Sequence, residues 1–266
     1  MSRISASGKI CLAVMFVILY APIFYLIFYS FNSGGTMSGF ESFSLEHYAA
    51  VIEDPRLIVI LIHTVLIALL SGLIATVIGT LGAIGIVSLK DKRMRHALLS
   101  LNNVLIVSPD VVIGASFLVL FTMIGAQLGF GSVLISHVAF SVPIVVLMVL
   151  PKLLEMNPLL IDAAQDLGAT KRDVFTRVIV PYIKPGIFAG FFMALTYSLD
   201  DFAVTFFVTG NGFSTLSVEI YSMARTGITL TINAVSTIVF LITMLVVVGY
   251  HLVTSRARAA ETEVQR

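Results

Sequence analysis

The chain alternates between long apolar runs and short polar segments. Six runs hold about 20 mostly apolar residues each, the length that an α-helix needs to cross the roughly 30 Å hydrocarbon core of a bilayer. The second run is too long for one perpendicular span, and its glycines favour tilt or close helix packing. The pattern predicts an all-α integral membrane protein with a single six-helix domain over residues 1–266. The predicted spans are approximately 10–31, 58–88, 103–125, 131–150, 186–208 and 233–253.

Composition supports the membrane class. Hydrophobic residues make up 58% of the 266-residue chain and charged residues only 12%, whereas soluble domains carry about 25% charged residues. The formal net charge is +1, so the overall balance gives no reason to expect a nucleic-acid partner. The positions of the charges are more informative than their sum.

Basic residues orient the predicted spans. Lysine and arginine together number 16, and all except Arg56 and Arg225 fall on one side of the six-span topology. By the positive-inside rule this side is cytoplasmic, together with both termini and a loop at 152–185. The basic residues on this side are Arg3, Lys9, Lys90, Lys92, Arg93, Arg95, Lys152, Lys171, Arg172, Arg177, Lys184, Arg256, Arg258 and Arg266.

Two external loops carry features of their own. The first, residues 32–56, is rich in acidic residues and is either a solvated connector or a docking surface. The fifth loop contains Leu216, Ile220 and Met223 at helical spacing, which predicts a short amphipathic helix.

The cytoplasmic loop contains a polar stretch, DAAQDLGATKRDVFTRVIVP, at residues 162–181. Asp162 to Leu167 suits a helix, and Gly168 can supply the positive φ that ends one. Thr170 with Asp173 three residues later resembles a capping box that starts another helix. The sequence therefore predicts helix, turn, helix. Such a projection from a membrane bundle suits contact with a partner protein.

The second helix of this pair has a predicted apolar face. Val174, Val178 and Ile179 are expected to face inward, while the charged residues stay in solvent. Pro181 and Pro185 are expected to break this helix before the fifth span begins.

Three acids lie within predicted spans: Asp110, Asp200 and Asp201. Each costs about 2.5 to 3.5 kcal/mol at the centre of a membrane helix on insertion scales. We expect no basic residue in the spans to pair with them, so the pathway favours a cationic substrate. Pro109 can open the helix before Asp110 and expose carbonyl acceptors there.

Tyrosines accompany the acids. Tyr197 precedes Asp200 by three residues and Asp201 by four, so its ring can share their helix face and hold an alkylammonium group. Adjacent helical residues point about 100° apart. One aspartate of the pair is therefore expected to bind a cation while the other bonds a neighbouring protein chain or sits outside the membrane. Tyr221, in the fifth loop, is a weaker candidate for substrate entry.

The two histidines in the spans, His63 and His137, are too far apart in sequence to form a metal-binding signature, and we expect no metal site. Hydrogen-bonded contacts between helices are the more economical interpretation.

The polar stretch resembles the coupling-loop motif of ABC importer permeases, E-A-A-x3-G-x9-I-x-L-P, often called the EAA motif. Aspartate replaces the first glutamate and valine replaces the isoleucine and leucine, with the spacing kept across 20 residues. The resemblance implies that this loop docks on a separate ATPase and transmits its nucleotide-driven movement to the membrane helices. The matching residues are Asp162, Ala163, Ala164, Gly168, Val178, Val180 and Pro181.

The resemblance also implies a division of labour. The sequence has no G-x4-G-K-[ST] phosphate-binding loop, so the chain is expected to be a transport subunit and not an enzyme. It is expected to bind no cofactor, with ATP and Mg²⁺ used by the partner. The implied partners are two ATP-binding subunits, a second and non-identical permease, and an extracytoplasmic substrate-binding protein. All would assemble at a bacterial cytoplasmic membrane.

More narrowly, the stretches SPDVVIGASFLVLF, GFGSVLISHVAFSVPIVV and SLDDFAVTFFVTG are similar to the second permease of spermidine/putrescine importers. Related branches carry thiamine, ferric iron or oxyanions, and these substrates stay open. A secondary transporter or channel would explain the buried acids but not the coupling-loop spacing. An intramembrane aspartyl protease would need a G-x-G-D context that the sequence lacks.

Overall fold

The computed structural model describes residues 6–210, 212–226, 230–245 and 248. These residues are helical apart from connecting turns and one antiparallel bridge between Asn32 and Phe43, which confirms the predicted all-α class. In chain order the helices are α1 Ala6–Tyr29, α2 Glu46–Glu53, α3 Pro55–Ser88, α4 Lys92–Val107, α5 Asp110–Met123, α6 Phe130–Glu155, α7 Leu159–Asp166, α8 Lys171–Asp173, a π-helical segment Val174–Ile179, α9 Val180–Asp200, α10 Ala203–Val208, α11 Leu216–Thr226 and α12 Leu230–Leu245.

The chain divides into two compact units. One comprises residues 59–219, and the other comprises residues 1–58 and 220–266. The first unit holds the three membrane acids and the polar stretch. We call it the core unit and the other the terminal unit.

Within the described residues, four helices are long and apolar enough to cross a membrane, or five when α4 and α5 count as one bent span. The longest, α3, has 34 residues and measures about 51 Å at 1.5 Å per residue. It exceeds the hydrocarbon thickness, as expected for a tilted helix. Helix α12 covers residues 230–245, and the rest of the sixth predicted span lies outside the described residues, apart from residue 248.

The predicted span over 103–125 is not one straight helix. Helix α4 ends at Val107, α5 begins at Asp110, and the two are bent by 104°. Pro109 explains the break, because proline lacks an N–H and disfavours helical geometry in the residue before it. Ser108 accordingly has extended backbone angles, with ψ of 139°. The break places Asp110 in the first turn of α5.

Small residues let the helices of the core unit approach closely. A Cβ added to Gly79 of α3 would lie 2.7 Å from the Cβ of Val145 on α6. On α9, a Cβ at Gly190 would lie 3.1 Å from Val145 Cγ1, and one at Gly186 would lie 3.0 Å from the Met148 carbonyl. Helix α6 therefore packs closely against both α3 and α9 at their glycines, as is typical of membrane helix bundles.

A second close approach joins α5 to α10. A Cβ at Gly114 would lie 2.8 Å from a ring carbon of Phe207 and 3.0 Å from Val204 Cα. Buried apolar side chains surround this contact, including Ile113, Phe121 and Val133. The packing brings the start of α5 near the polar break that separates α9 from α10.

The terminal unit contains a structured first loop. The buried Asn32 side chain accepts a hydrogen bond from the Glu41 N–H at 2.8 Å and donates to the Gly39 carbonyl at 2.9 Å. The Phe31 and Phe43 rings stack with centroids 5.3 Å apart. The loop is thus more ordered than a simple connector. The short helix predicted in the fifth loop is confirmed as α11, which begins in the core unit and ends in the terminal unit.

Candidate substrate pathway and coupling loop

A polar break separates α9 from α10 in the core unit. Helix α9 ends at Asp200, and Asp201 leaves helical geometry with ψ of 120°. The Asp201 carboxylate then accepts hydrogen bonds from the Val204 N–H at 3.2 Å and from the Thr205 N–H and hydroxyl at 2.8 and 2.7 Å. These bonds satisfy donors that the first turn of α10 would otherwise leave free, and they place a negative charge at the positive end of the helix.

His137 on α6 reaches the same break. Its Nε2 lies 2.8 Å from the Thr205 hydroxyl and 3.4 Å from Asp201 Oδ2, and its Nδ1 lies 2.6 Å from the Ser198 hydroxyl. The side chain is fully buried. The predicted interhelical hydrogen-bonding role of His137 is confirmed. We expected no basic residue to pair with the membrane acids; the structure gives Asp201 neutral hydrogen-bond donors from Val204 and Thr205 and places His137 beside it.

Sequence reasoning missed this pairing because the two residues are 64 positions apart and no local spacing connects them. The available signals were separate: a histidine in one predicted span and an acid in another. His63, the other histidine in a span, stacks on the Phe213 ring at 4.8 Å between centroids.

The structure brings Asp110 and Tyr197 to the same region. Asp110 and Asp201 are close enough to interact electrostatically with each other. Both carboxylates also interact electrostatically with the Tyr197 side chain. Asp110 is exposed in the first turn of α5, and Tyr197 is 44% exposed. The Tyr197 ring meets Phe140 edge-on, with centroids 5.9 Å apart. These groups form an acidic, aromatic-walled patch beside the helix break.

Asp200 and Asp201 differ sharply despite being adjacent. Asp200 is the last residue of α9 and is exposed. The Asp201 side chain is only 5% exposed. We expected the two side chains to point in different directions because neighbours on an intact helix are offset by about 100°. In the structure they differ because the helix ends between them.

Tyr221 lies on the part of α11 that belongs to the terminal unit, where the Arg225 guanidinium sits 5.9 Å from its ring centroid. Its role in substrate entry stays a prediction. Of the five predicted pathway residues, the core unit gathers Asp110, Tyr197 and Asp201 and places Asp200 next to them.

The polar stretch forms the predicted helix, turn, helix. Helix α7 ends at Asp166, and Gly168 adopts a φ of +83°. The Thr170 hydroxyl accepts from the Asp173 N–H, and the Asp173 carboxylate accepts from the Thr170 N–H and hydroxyl. These bonds from Thr170 hold the pKa of the Asp173 carboxyl below its usual value. Asp162 and Ala163 on α7 are exposed, while Ala164 is half-buried.

The predicted helix break at Pro181 and Pro185 was wrong. Residues Lys171–Asp200 run as one continuous helical stretch, with a π-helical segment at Val174–Ile179. Pro181 lies in the first turn of α9, directly after that segment, where the wider turn relieves the need for its missing N–H. Val178 and Val180 are half-buried and Pro181 is exposed. The polar stretch is therefore continuous with the helix that ends at Asp200.

A bundle of membrane-length helices, with a polar break inside and an exposed helix pair projecting from it, defines the chain as a membrane permease. It belongs to the family of binding-protein-dependent transport system inner membrane components, whose model matches residues 75–259. The chain is thus a multi-pass bacterial membrane protein.

Curated relatives are similar over nearly the whole chain. The spermidine/putrescine transport system permease protein PotC of Escherichia coli K12 is 33% identical over 242 residues, which cover 91% of each chain. PotC of Haemophilus influenzae is 34% identical, covering 92% of this chain and 96% of its own. The putrescine transport system permease protein PotI of E. coli K12 is 30% identical, covering 86% and 84%.

Solved structures share the fold. A chain of a bacterial ABC transporter that imports the acidic polysaccharide alginate matches with a TM-score of 0.75 and 19% identity, covering 94% of both chains. A chain of the MetNI methionine ABC transporter in an inward-facing conformation matches with a TM-score of 0.61 and 19% identity, covering 76% of this chain and 98% of its own. At these identities the likeness concerns the fold alone.

Proposed function

We propose that this chain is the permease subunit of an ATP-driven importer that carries polyamines, such as spermidine and putrescine, into the bacterial cell. The observation that carries the proposal is the acidic patch beside the α9–α10 break, where Asp110, Asp200 and Tyr197 are exposed. The names of the curated relatives, PotC and PotI, agree with this substrate class.

The chemistry of the patch favours organic cations over other solutes. Exposed carboxylates attract ammonium groups through charge-assisted hydrogen bonds, and a tyrosine ring adds cation–π attraction to an alkylammonium. Of the three acids, Asp201 is the one that lies beside His137, whose Nε2 is 3.4 Å from Asp201 Oδ2 in the described structure. Asp110 and Asp200 remain as acceptors on the accessible side of the break, and an oxyanion there would meet repulsion.

The transport cycle follows from this arrangement. The binding protein delivers the amine to a cavity shared with a second permease, and Asp110, Asp200 and Tyr197 receive it there. In this proposal both termini lie on the cytoplasmic side, and the bent pair α4 and α5 is the third of six spans. An inside-negative potential already favours cation entry by about 2.3 kcal/mol per charge per 100 mV, so ATP chiefly imposes direction and permits accumulation.

Energy enters through residues 162–181. Two ATP-binding subunits hydrolyse ATP with Mg²⁺ and close against the exposed face of α7, which carries Asp162 and Ala163. The continuous stretch from Lys171 to Asp200 then acts as a lever, because a rigid helix transmits movement at one end to the other. That lever ends at the substrate patch.

A direct test measures ATPase activity of the assembled transporter in lipid nanodiscs with its binding protein. Spermidine or putrescine is expected to stimulate hydrolysis, whereas thiamine, ferric iron and oxyanions are expected not to. Stimulation by one of these other solutes, with no response to amines, would overturn the polyamine assignment and leave the permease class intact.

A further inference from the structure

A chain of hydrogen bonds crosses four helices of the core unit. The Ser71 hydroxyl on α3 bonds to the Ser198 hydroxyl on α9 at 3.0 Å, and Ser198 bonds to His137 Nδ1 at 2.6 Å. On the other side of the ring, Nε2 bonds to the Thr205 hydroxyl at 2.8 Å, and Thr205 bonds to Asp201 at 2.7 Å. All five side chains are at least nine-tenths buried.

The acceptor at the end fixes the direction of every bond. An ionised carboxylate can only accept, so the Thr205 hydroxyl donates to Asp201 and must accept from His137. Nε2 therefore carries the proton. The single Ser71 proton lies between two acceptors, Ser198 Oγ at 3.0 Å and the Ala68 carbonyl at 3.3 Å, and the Ser198 proton is free to point to Nδ1. With Asp201 ionised, the pattern fits a His137 that carries a proton on Nε2 and accepts at Nδ1.

Asp201 has little capacity left for a substrate. Its Oδ1 accepts from the Val204 N–H, while its Oδ2 accepts from the Thr205 N–H and hydroxyl and lies 3.4 Å from His137 Nε2. Because the Asp201 side chain is only 5% exposed, an ammonium group could engage both of its oxygens only by displacing the cap of α10. Such a displacement would leave buried donors unsatisfied, which costs about 1 to 3 kcal/mol per group.

We infer that His137 is a positioning residue for transport: through Thr205 it holds Asp201 as the cap of α10, and the fixed break presents Asp110 and Asp200 to the substrate. Asp201 is then part of the pathway wall and not a substrate ligand. This inference rests on the proposed function for the identity of the substrate. The hydrogen-bond chain itself does not depend on it.

Matched substitutions separate positioning from packing. His137→Gln keeps a side-chain N–H for Thr205 and an oxygen acceptor for Ser198, whereas His137→Leu removes both. Ser136→Ala is the packing control, because Ser136 is equally buried on α6 but bonds only to the Ser132 carbonyl of its own helix. We expect ATP-dependent uptake to fall about tenfold or more in His137→Leu, because this change removes both buried hydrogen bonds of the imidazole. His137→Gln and Ser136→Ala are expected to stay close to the native rate.

A double-mutant comparison tests the route. His137→Leu combined with Thr205→Val is expected to be no worse than either single change, since both break one chain. His137→Leu combined with Asp110→Asn is expected to lose less than the product of the two single losses, because His137 acts through the presentation of Asp110 and Asp200. Multiplied losses for His137 with Thr205, or equal losses in His137→Leu and Ser136→Ala, would overturn the inference.

A spectroscopic measurement is independent of the substrate. In the ¹⁵N-histidine NMR spectrum of the assembled transporter, the signals lost in His137→Gln identify His137. They are expected to show protonated Nε2 and unprotonated Nδ1, and Thr205→Val is expected to shift the Nε2 signal. Protonated Nδ1 in the native protein would refute the hydrogen-bond chain. Absence of amine uptake by native vesicles, with the expected spectrum, would instead refute only the polyamine assignment.

Discussion

Gly168 shows how one residue shapes the coupling loop. Its φ of +83° lies in the left-handed region, and a Cβ added there would meet nothing within 4 Å in this chain. A substitution therefore acts through backbone strain or through contact with the ATPase. Strain of this kind costs about 1 to 3 kcal/mol for a residue that avoids positive φ.

We predict that Gly168→Val uncouples the transporter. Valine is β-branched and resists positive φ, so the turn between α7 and α8 should distort. ATP hydrolysis should persist while amine uptake falls about tenfold or more, in line with the strain. Gly168→Asn is the control, because asparagine tolerates positive φ and should retain much of the uptake. Normal uptake by Gly168→Val in assembled complexes would contradict the role of the turn.

At the scale of helices, glycine packing distinguishes two positions on α3. A Cβ at Gly79 would lie 2.7 Å from Val145 Cβ and 3.0 Å from the Val142 carbonyl, whereas a Cβ at Gly85 would meet nothing within 4 Å. The first position is an interhelical contact of the core unit. The second is open within this chain.

We predict that Gly79→Ala lowers the thermal stability of the purified protein, because overpacking a close contact costs about 1 to 3 kcal/mol. Gly85→Ala should leave stability unchanged or slightly raised, since alanine favours a helix more than glycine does. Thermal unfolding followed by size-exclusion chromatography in detergent compares the two variants. Equal loss of stability in both would refute the proposed α3–α6 contact.

The helix breaks show how far local pattern carries. Pro109 indicated an opening before Asp110, and a break is present, but its angle of 104° depends on tertiary packing. We predicted a helix break at Pro181, but the helix continues through it. The π-helical segment that precedes this proline has no simple sequence signature. The capping box of Thr170 and Asp173 and the turn at Gly168 were predictable because their signals are confined to a few residues.

For the whole molecule, composition and the spacing of apolar runs were sufficient to predict the class, and the coupling motif predicted the family. The candidate site was predictable in part: the acids and Tyr197 were identified, but their unequal surroundings were not. Part of that difference is local, because Thr205 bonds to Asp201 from four residues away. The rest arises from His137, which reaches the Thr205 hydroxyl only after α6 and α10 pack together.

The central claim is that an accessible carboxylate in this bundle receives a polyamine driven inward by ATP. Uptake of labelled spermidine and putrescine into vesicles containing the assembled transporter and its binding protein tests it, with Asp110→Asn compared with the native chain. Asp91→Asn is the control, since Asp91 also lies at a helix start but caps α4 through the Arg93 N–H at 2.8 Å.

The account predicts ATP-dependent uptake by the native chain and by Asp91→Asn. It also predicts a fall of about tenfold or more in Asp110→Asn, equivalent to the loss of one charge-assisted contact. Native rates of amine uptake by correctly assembled Asp110→Asn would contradict the claim that this carboxylate lies on the substrate path.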